Sequence, residues 1–141
     1  MNKKLDILID FDGTCVTHDY PRIGQDIGSV PVLKKLVANG HNLILFTMRS
    51  HKSFSMMNIR TAFDGLNEAI NWFKTNNIPL YGIQTNPTQK SWTLSPKAHG
   101  DLMIDDVALG CPLINDLNIH HKSFVDWVKV EEMLIERGVI K

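Results

Sequence analysis

The sequence predicts one α/β domain spanning residues 1–141, a Rossmann-like, three-layer α/β/α arrangement around a mainly parallel sheet. Three observations carry this expectation. Apolar runs at residues 5–9, 42–46 and 102–104 lack the alternation of a one-faced strand, so they read as strands buried on both sides. Between them lie segments whose apolar residues recur at helical spacing. Strands that alternate with helices make a parallel sheet covered on both faces.

The first run, Leu5-Asp6-Ile7-Leu8-Ile9, ends abruptly in Asp10-Phe11-Asp12-Gly13-Thr14. Two carboxylates at the end of a buried strand need a neutralising partner, because an unpaired buried charge is very costly. Gly13 lets the chain turn sharply just past them. Residues 15–21 are polar and irregular, a loop or short hairpin over the motif. A helix then begins at Ser29, a favourable N-cap, with Pro31 in the first turn and Val30, Leu33, Leu36 and Val37 on one face; Asn39-Gly40 stops it.

The second strand, 42–46, leads into Thr47. Residues 48–63 show no clear period and are expected to form a loop with a short helix, in which Met48, Met56 and Met57 pack. The next helix is clearer: Leu66, Ala69, Ile70 and Phe73 fall at i, i+3, i+4 and i+7 behind Asp64 as N-cap. A third strand is expected at 80–83. The long segment 84–100 carries Asn86-Pro87 and Ser95-Pro96 and has little periodicity. The fourth strand, 102–104, ends in Asp105-Asp106. After a loop with a short edge strand at 112–114, a last helix is expected from Ser123, with Asp126 as its capping-box partner, Trp127, Val130 and Leu134 inward, and Gly138 as its stop.

Composition narrows the function classes. Hydrophobic residues make up 43% and charged residues 21%, so a packed core is expected rather than disorder. Lys+Arg and Asp+Glu are 15 each, which leaves no net field for general nucleic-acid or membrane binding. Met1-Asn2-Lys3-Lys4 precedes no long apolar core, so no secretory leader is expected, and no run is long enough to span a bilayer. Cys15 and Cys111 lack CxxC spacing and read as free thiols in a reducing cytoplasm. His18, His51 and His99 lie near the predicted site without zinc-site spacing.

In an open parallel sheet the strand ends share one edge, and ligands bind where the strand order reverses. Asp10 and Asp12 follow the first strand, Thr47 the second, and Asp105-Asp106 the fourth. Carboxylates from two adjacent strand ends would give a magnesium ion an oxygen cage with room for water and a phosphate. Asp10 and Asp12 therefore read as a metal-assisted phosphoryl-transfer centre. Arg49, two residues past Thr47, is placed to touch a phosphate or a substrate acid.

The set Asp10-Phe11-Asp12-Gly13-Thr14, Ile44-Leu45-Phe46-Thr47, Lys97 and Met103-Ile104-Asp105-Asp106 resembles the haloacid dehalogenase superfamily in the order and strand context of its four motifs. The chain also looks like a group of short bacterial members of that superfamily. The resemblance implies a magnesium-dependent phosphatase. Asp10 would be the nucleophile, Asp12 the general acid and base, Thr47 a holder of phosphoryl oxygens, and Lys97 the neutralising cation. Asp10, Asp12 (through its backbone carbonyl), Asp105 and Asp106 would bind the metal, and Gly13, Thr14, Thr47 and Arg49 the substrate. Gly100-Asp101 followed by Asp105 fits an alternative fourth motif, although no apolar strand precedes Gly100. The gaps between motifs leave no space for a cap domain, which raises interest in a homodimer covering the site. A catalytically silent phosphate-binding protein on the same fold is the alternative. A phosphoacceptor signalling module would need an acid after the middle strand, where Ile83-Gln84-Thr85 stands.

Overall fold

The computed structural model describes residues 3–54 and 62–141. In chain order the elements are β1 (Asp6–Ile9), α1 (Ser29–Ala38), β2 (Asn42–Leu45), β3 (Ser53–Phe54), β4 (Ala62–Phe63), α2 (Gly65–Thr75), β5 (Gly82–Ile83), a 3-10 turn (Gln89–Ser91), β6 (Leu102–Ile104), β7 (Leu113–Ile114), β8 (Phe124–Val125) and α3 (Trp127–Glu136).

The central sheet has the order β5-β2-β1-β6, and every pairing in it is parallel. β1 lies between β2, with Ile7 opposite Leu43, and β6, with Ile7 opposite Leu102. Successive connections step from β1 to β2 to β5, then cross back over both strands to β6. The strand order therefore reverses beside β1, the place where α/β sheets bind ligands.

The pleat explains the burial. Ile7, Ile9, Leu43, Leu45 and Ile104 share one face and join a single core with Leu33 and Leu36 of α1, Leu66 and Phe73 of α2, and Trp127 and Leu134 of α3. Right-handed crossovers that step the same way across a sheet put α1 and α2 on the same side. The return crossover to β6 must cover the other face. There Leu8 and Ile44 are buried against Ala98 and Phe46.

Here the structure corrects the three-layer expectation. Among the described residues no α-helix packs on that second face. The segment 84–100 covers it instead, held together by buried side-chain amides. Gln89 Nε2 donates to the carbonyls of Ser95 (3.0 Å) and Lys97 (2.7 Å), and Asn86 Nδ2 to that of His99 (3.1 Å).

Helix boundaries follow local chemistry with two corrections. Asp64 caps α2 as expected, accepting from Asn67 N at 2.8 Å. Ser29 does not cap α1. Gly28, at φ 86°, occupies that position, and the Ser29 hydroxyl donates to the carbonyl of Cys15 at 2.7 Å. α3 starts later than expected, because Phe124–Val125 pairs antiparallel with Leu113–Ile114 and Asp126 is itself the N-cap, accepting from Lys129 N at 3.2 Å. The expected edge strand at 112–114 is β7. Ser53–Phe54 and Ala62–Phe63 pair as a two-stranded ribbon; the expected short helix, with Met56 and Met57, lies outside the described residues. Among the described residues no helix is long and apolar enough to cross a membrane.

Candidate functional site

β1 ends in a tight turn whose carbonyls are anchored by distant parts of the chain. Gly13, at φ 82°, donates its N–H to Val16 O, while Thr14 N and Cys15 N both reach Phe11 O. Val125 N donates to Gly13 O at 3.0 Å, Trp127 Nε1 to Thr14 O at 2.7 Å and Ser29 Oγ to Cys15 O. The acidic motif is thus fixed by α1, β8 and the first residue of α3.

Asp10 N donates to Ile104 O at 3.1 Å, so the strand ends of β1 and β6 stay in register past the sheet. This register brings three acids together. One carboxylate oxygen from each of Asp10, Asp105 and Asp106 lies within 4.8 Å of the others. Thr14 joins the two strand ends: its hydroxyl donates to Asp10 Oδ2 at 2.7 Å and accepts from Asp106 N at 3.1 Å. Asp106 Oδ2 lies 2.8 Å from His18 Nε2.

The electrostatics show what such a cluster lacks. Burial pushes the Asp10 carboxyl up to about 8 from an ordinary 3.8; the Thr14 hydroxyl pulls against this, while the charge of Asp105 and the Asp106 carboxyl add to it. Asp105 is raised too, mainly by burial and further by Asp106, against the Val107 N–H that it accepts. Carboxylates this close keep a proton unless a cation replaces it. The set is oxygen-only, as a hard divalent ion requires. These three residues can therefore hold a metal ion.

Asp12 stands apart from that cluster. Its two oxygens accept from Arg49 Nε and Nη2, each at 2.8 Å. Arg49 is 2% exposed, and its remaining N–H groups reach the carbonyls of Pro21, Gly65 and Arg22. The guanidinium also sits between the rings of Phe11 (5.1 Å) and Tyr20 (5.0 Å). All five donors face protein acceptors, so Arg49 positions Asp12 rather than meeting a substrate anion, which corrects the sequence expectation.

Thr47 is brought to the site. Its hydroxyl accepts from Arg49 N at 3.1 Å and keeps its own proton for another acceptor. Gln84, at φ 63°, fixes this loop by accepting from Thr47 N and donating to Thr47 O and Arg49 O. Asp10, Asp12, His18, Tyr20, Thr47, Met48, Arg49, Asp105 and Val107 line one cleft of about 480 Å³. Gly13 and Thr14 lie beneath it: a Cβ on Gly13 would stand 2.6 Å from Asp106 Oδ2.

Lys97 is not brought to the acids. It is exposed and lines a separate cavity with Leu8, Phe46 and Trp92. The segment that carries it folds over the second sheet face rather than the strand ends. Asp101 also lies elsewhere, at the opposite end of the sheet, where its Oδ2 accepts from Asp6 N at 2.8 Å. Asp6, His99 and Asp101 cluster there, and Asp6 is already bonded to the amides of Asn42 and Asn86.

Two residues of the site carry no sequence signal of their own. His18 has no metal-site spacing, and only the hairpin over the motif, with bridges from Val16 to Asp12 and Asp26, delivers it to Asp106. Gln84 follows β5 as an ordinary polar residue, and its left-handed backbone turns it onto Thr47. Its place just past a strand end was the available hint.

No protein-family model matches the chain, and no curated protein does. A solved structure, described as that of the conserved protein coded by a locus from Bacteroides thetaiotaomicron, is similar over 96% of this chain and 93% of that one, with 32% sequence identity and a TM-score of 0.71. Identity at that level over nearly both full lengths extends beyond the shared α/β fold. The chain belongs to the same family as this conserved Bacteroides protein.

Proposed function

We propose that this protein is a magnesium-dependent phosphomonoester hydrolase of the haloacid dehalogenase type, without a cap domain. One observation carries the reading: Asp10, Asp105 and Asp106 converge at the strand-order reversal, and Asp10 and Asp105 line one cleft with Asp12 and Thr47. Asp10, Asp105 and Asp106 would hold the ion, with the backbone carbonyl of Asp12. Bound magnesium would supply the positive charge that lets an anionic phosphate approach a carboxylate.

The residues then have distinct tasks. An Asp10 oxygen attacks phosphorus, the bond from phosphorus to the leaving oxygen breaks, and Asp12 relays the proton of the phosphate monoanion to that oxygen. Asp12 next takes a proton from water, whose oxygen attacks phosphorus and releases Asp10, and passes that proton to the departing inorganic phosphate. Arg49 holds Asp12 through both of its oxygens, and the second lone pair on each remains open to these transfers. The Thr47 hydroxyl donates to a phosphoryl oxygen. The test is hydrolysis of a panel of phosphomonoesters with magnesium. Turnover abolished by EDTA and by Asp10→Asn is expected; equal rates in wild type and Asp10→Asn overturn the assignment.

The position of Lys97 favours a second reading. With that lysine outside the cleft and Arg49 committed to Asp12, the site resembles one that binds a metal and phosphate without turnover. Calorimetric binding of magnesium and phosphate with no product release would support it.

A further inference from the structure

The cleft pairs an acidic floor with an apolar mouth. Met48 is 98% exposed, Val107 83% and Tyr20 51%, and all three line the same space as Asp10 and Asp105. A methionine and a valine left almost wholly in water, one just past β2 and one just past β6, flank the acids from two sides. Polar residues would hold those places at no cost in hydration, whereas an apolar group seated between these side chains removes surface from water on both partners.

What the mouth lacks is equally specific. Among the described residues that line the cleft, Arg49 bears the only permanent cation, and its five N–H groups are taken by Asp12 and by backbone carbonyls. His18 faces Asp106. A substrate carrying a carboxylate or a further phosphate beside the reacting one would find, among the described residues that line the cleft, no lysine or arginine left to pair with it, since the charge of a bound ion is shared by its own carboxylates and the reacting phosphate. A volume of about 480 Å³ is within the range of small-molecule sites.

Resting on the hydrolase reading above, we infer that the preferred substrates are phosphomonoesters of small, uncharged, apolar alcohols, whose organic group packs between Met48, Val107 and the edge of Tyr20. The reaction consumes one water, breaks the bond from phosphorus to the alcohol oxygen, and releases the free alcohol and inorganic phosphate. Sugar bisphosphates, nucleoside diphosphates and phosphorylated acids are selected against by the same geometry.

The test compares three alkyl esters with similar leaving groups, with magnesium present: benzyl phosphate, glycerol phosphate and phosphoglycolate. The expected result is a kcat/KM for benzyl phosphate at least about tenfold above the other two, the discrimination typical of a small apolar contact. The double substitution Met48→Ser with Val107→Ser is expected to shrink that ratio to below about threefold; both side chains face water, so the fold should tolerate it. Turnover that depends on Asp10 but favours phosphoglycolate or glycerol phosphate overturns this inference and leaves the hydrolase reading standing. A ratio unmoved by the double substitution also overturns it. Failure to turn over any of the three esters in an Asp10-dependent way overturns both.

Discussion

Arg49 and Asp12 are joined at two points, Nε to Oδ2 and Nη2 to Oδ1, each at 2.8 Å, although 37 residues separate them in sequence. The Arg49 side chain is 1% exposed and that of Asp12 18%. This pair links the turn after β1 to the loop after β2, and through Gly65 O to the start of α2. Removing either partner leaves a buried charge without its complement, which typically costs about 3–5 kcal/mol. Arg49→Ala is therefore expected to lower stability by about 3 kcal/mol or more in urea unfolding. Arg49→Lys should recover little of this, because an ammonium cannot reproduce the fork or lie between the rings of Phe11 and Tyr20. An Arg49→Ala midpoint close to wild type would show that the pair is not structural.

Asp10 sets an opposite pH dependence from that of a paired acid. Between the ordinary value of 3.8 and about 8, the folded chain holds a proton that the unfolded chain has released. Stability of the metal-free protein therefore falls as pH rises through that window. Asp10→Asn removes the titration while keeping an acceptor for the Thr14 hydroxyl. In EDTA at pH 8 this variant is expected to be about 1–2 kcal/mol more stable, melting roughly 3–6 °C higher, with the gap closing at pH 5. Thermal unfolding at the two pH values checks it; a gap equal at both would show that Asp10 is not protonated in the metal-free fold.

Gly13 and Gly110 separate backbone strain from crowding. Both have left-handed φ, 82° and 91°. A Cβ at Gly110 meets nothing within 4 Å, whereas at Gly13 it runs into His18 and the Asp106 carboxylate. Gly110→Ala should cost only the strain, about 1 kcal/mol. Gly13→Ala should cost more and, by displacing Asp106, weaken divalent-ion binding at least tenfold. Manganese titration of both variants compares them directly; equal affinities would remove the argument that the turn sets the acid geometry.

The two thiols differ in environment. Cys15 is fully buried beside the acids, its Sγ 3.3 Å from Asp10 O, and burial raises it well above the usual 9.0, with Asp10 and Asp12 adding. Cys111 is half-buried and raised mainly by the same cause. Both should therefore react slowly with thiol reagents near neutral pH. Cys111 is expected to be modified first, and Cys15 only on unfolding. Native-state labelling of Cys15 ahead of Cys111, read by peptide mass, would contradict the packing.

The parallel strands and the acids at their ends were legible in residue order alone, because an unbroken apolar run followed by carboxylates has few physical solutions. So was the cap of α2, since Asp64 needs only its own neighbouring N–H groups. What depends on partners far apart in the chain was settled by folding. Arg49 turned from substrate to Asp12 because buried carbonyls of Pro21, Arg22 and Gly65 surround it. His18 met Asp106 because the hairpin over the motif folds back. Lys97 went elsewhere because its segment, rather than a helix, closes the second face of the sheet. Local pattern fixes which groups leave a strand end, whereas long-range hydrogen bonding and burial fix where those groups point.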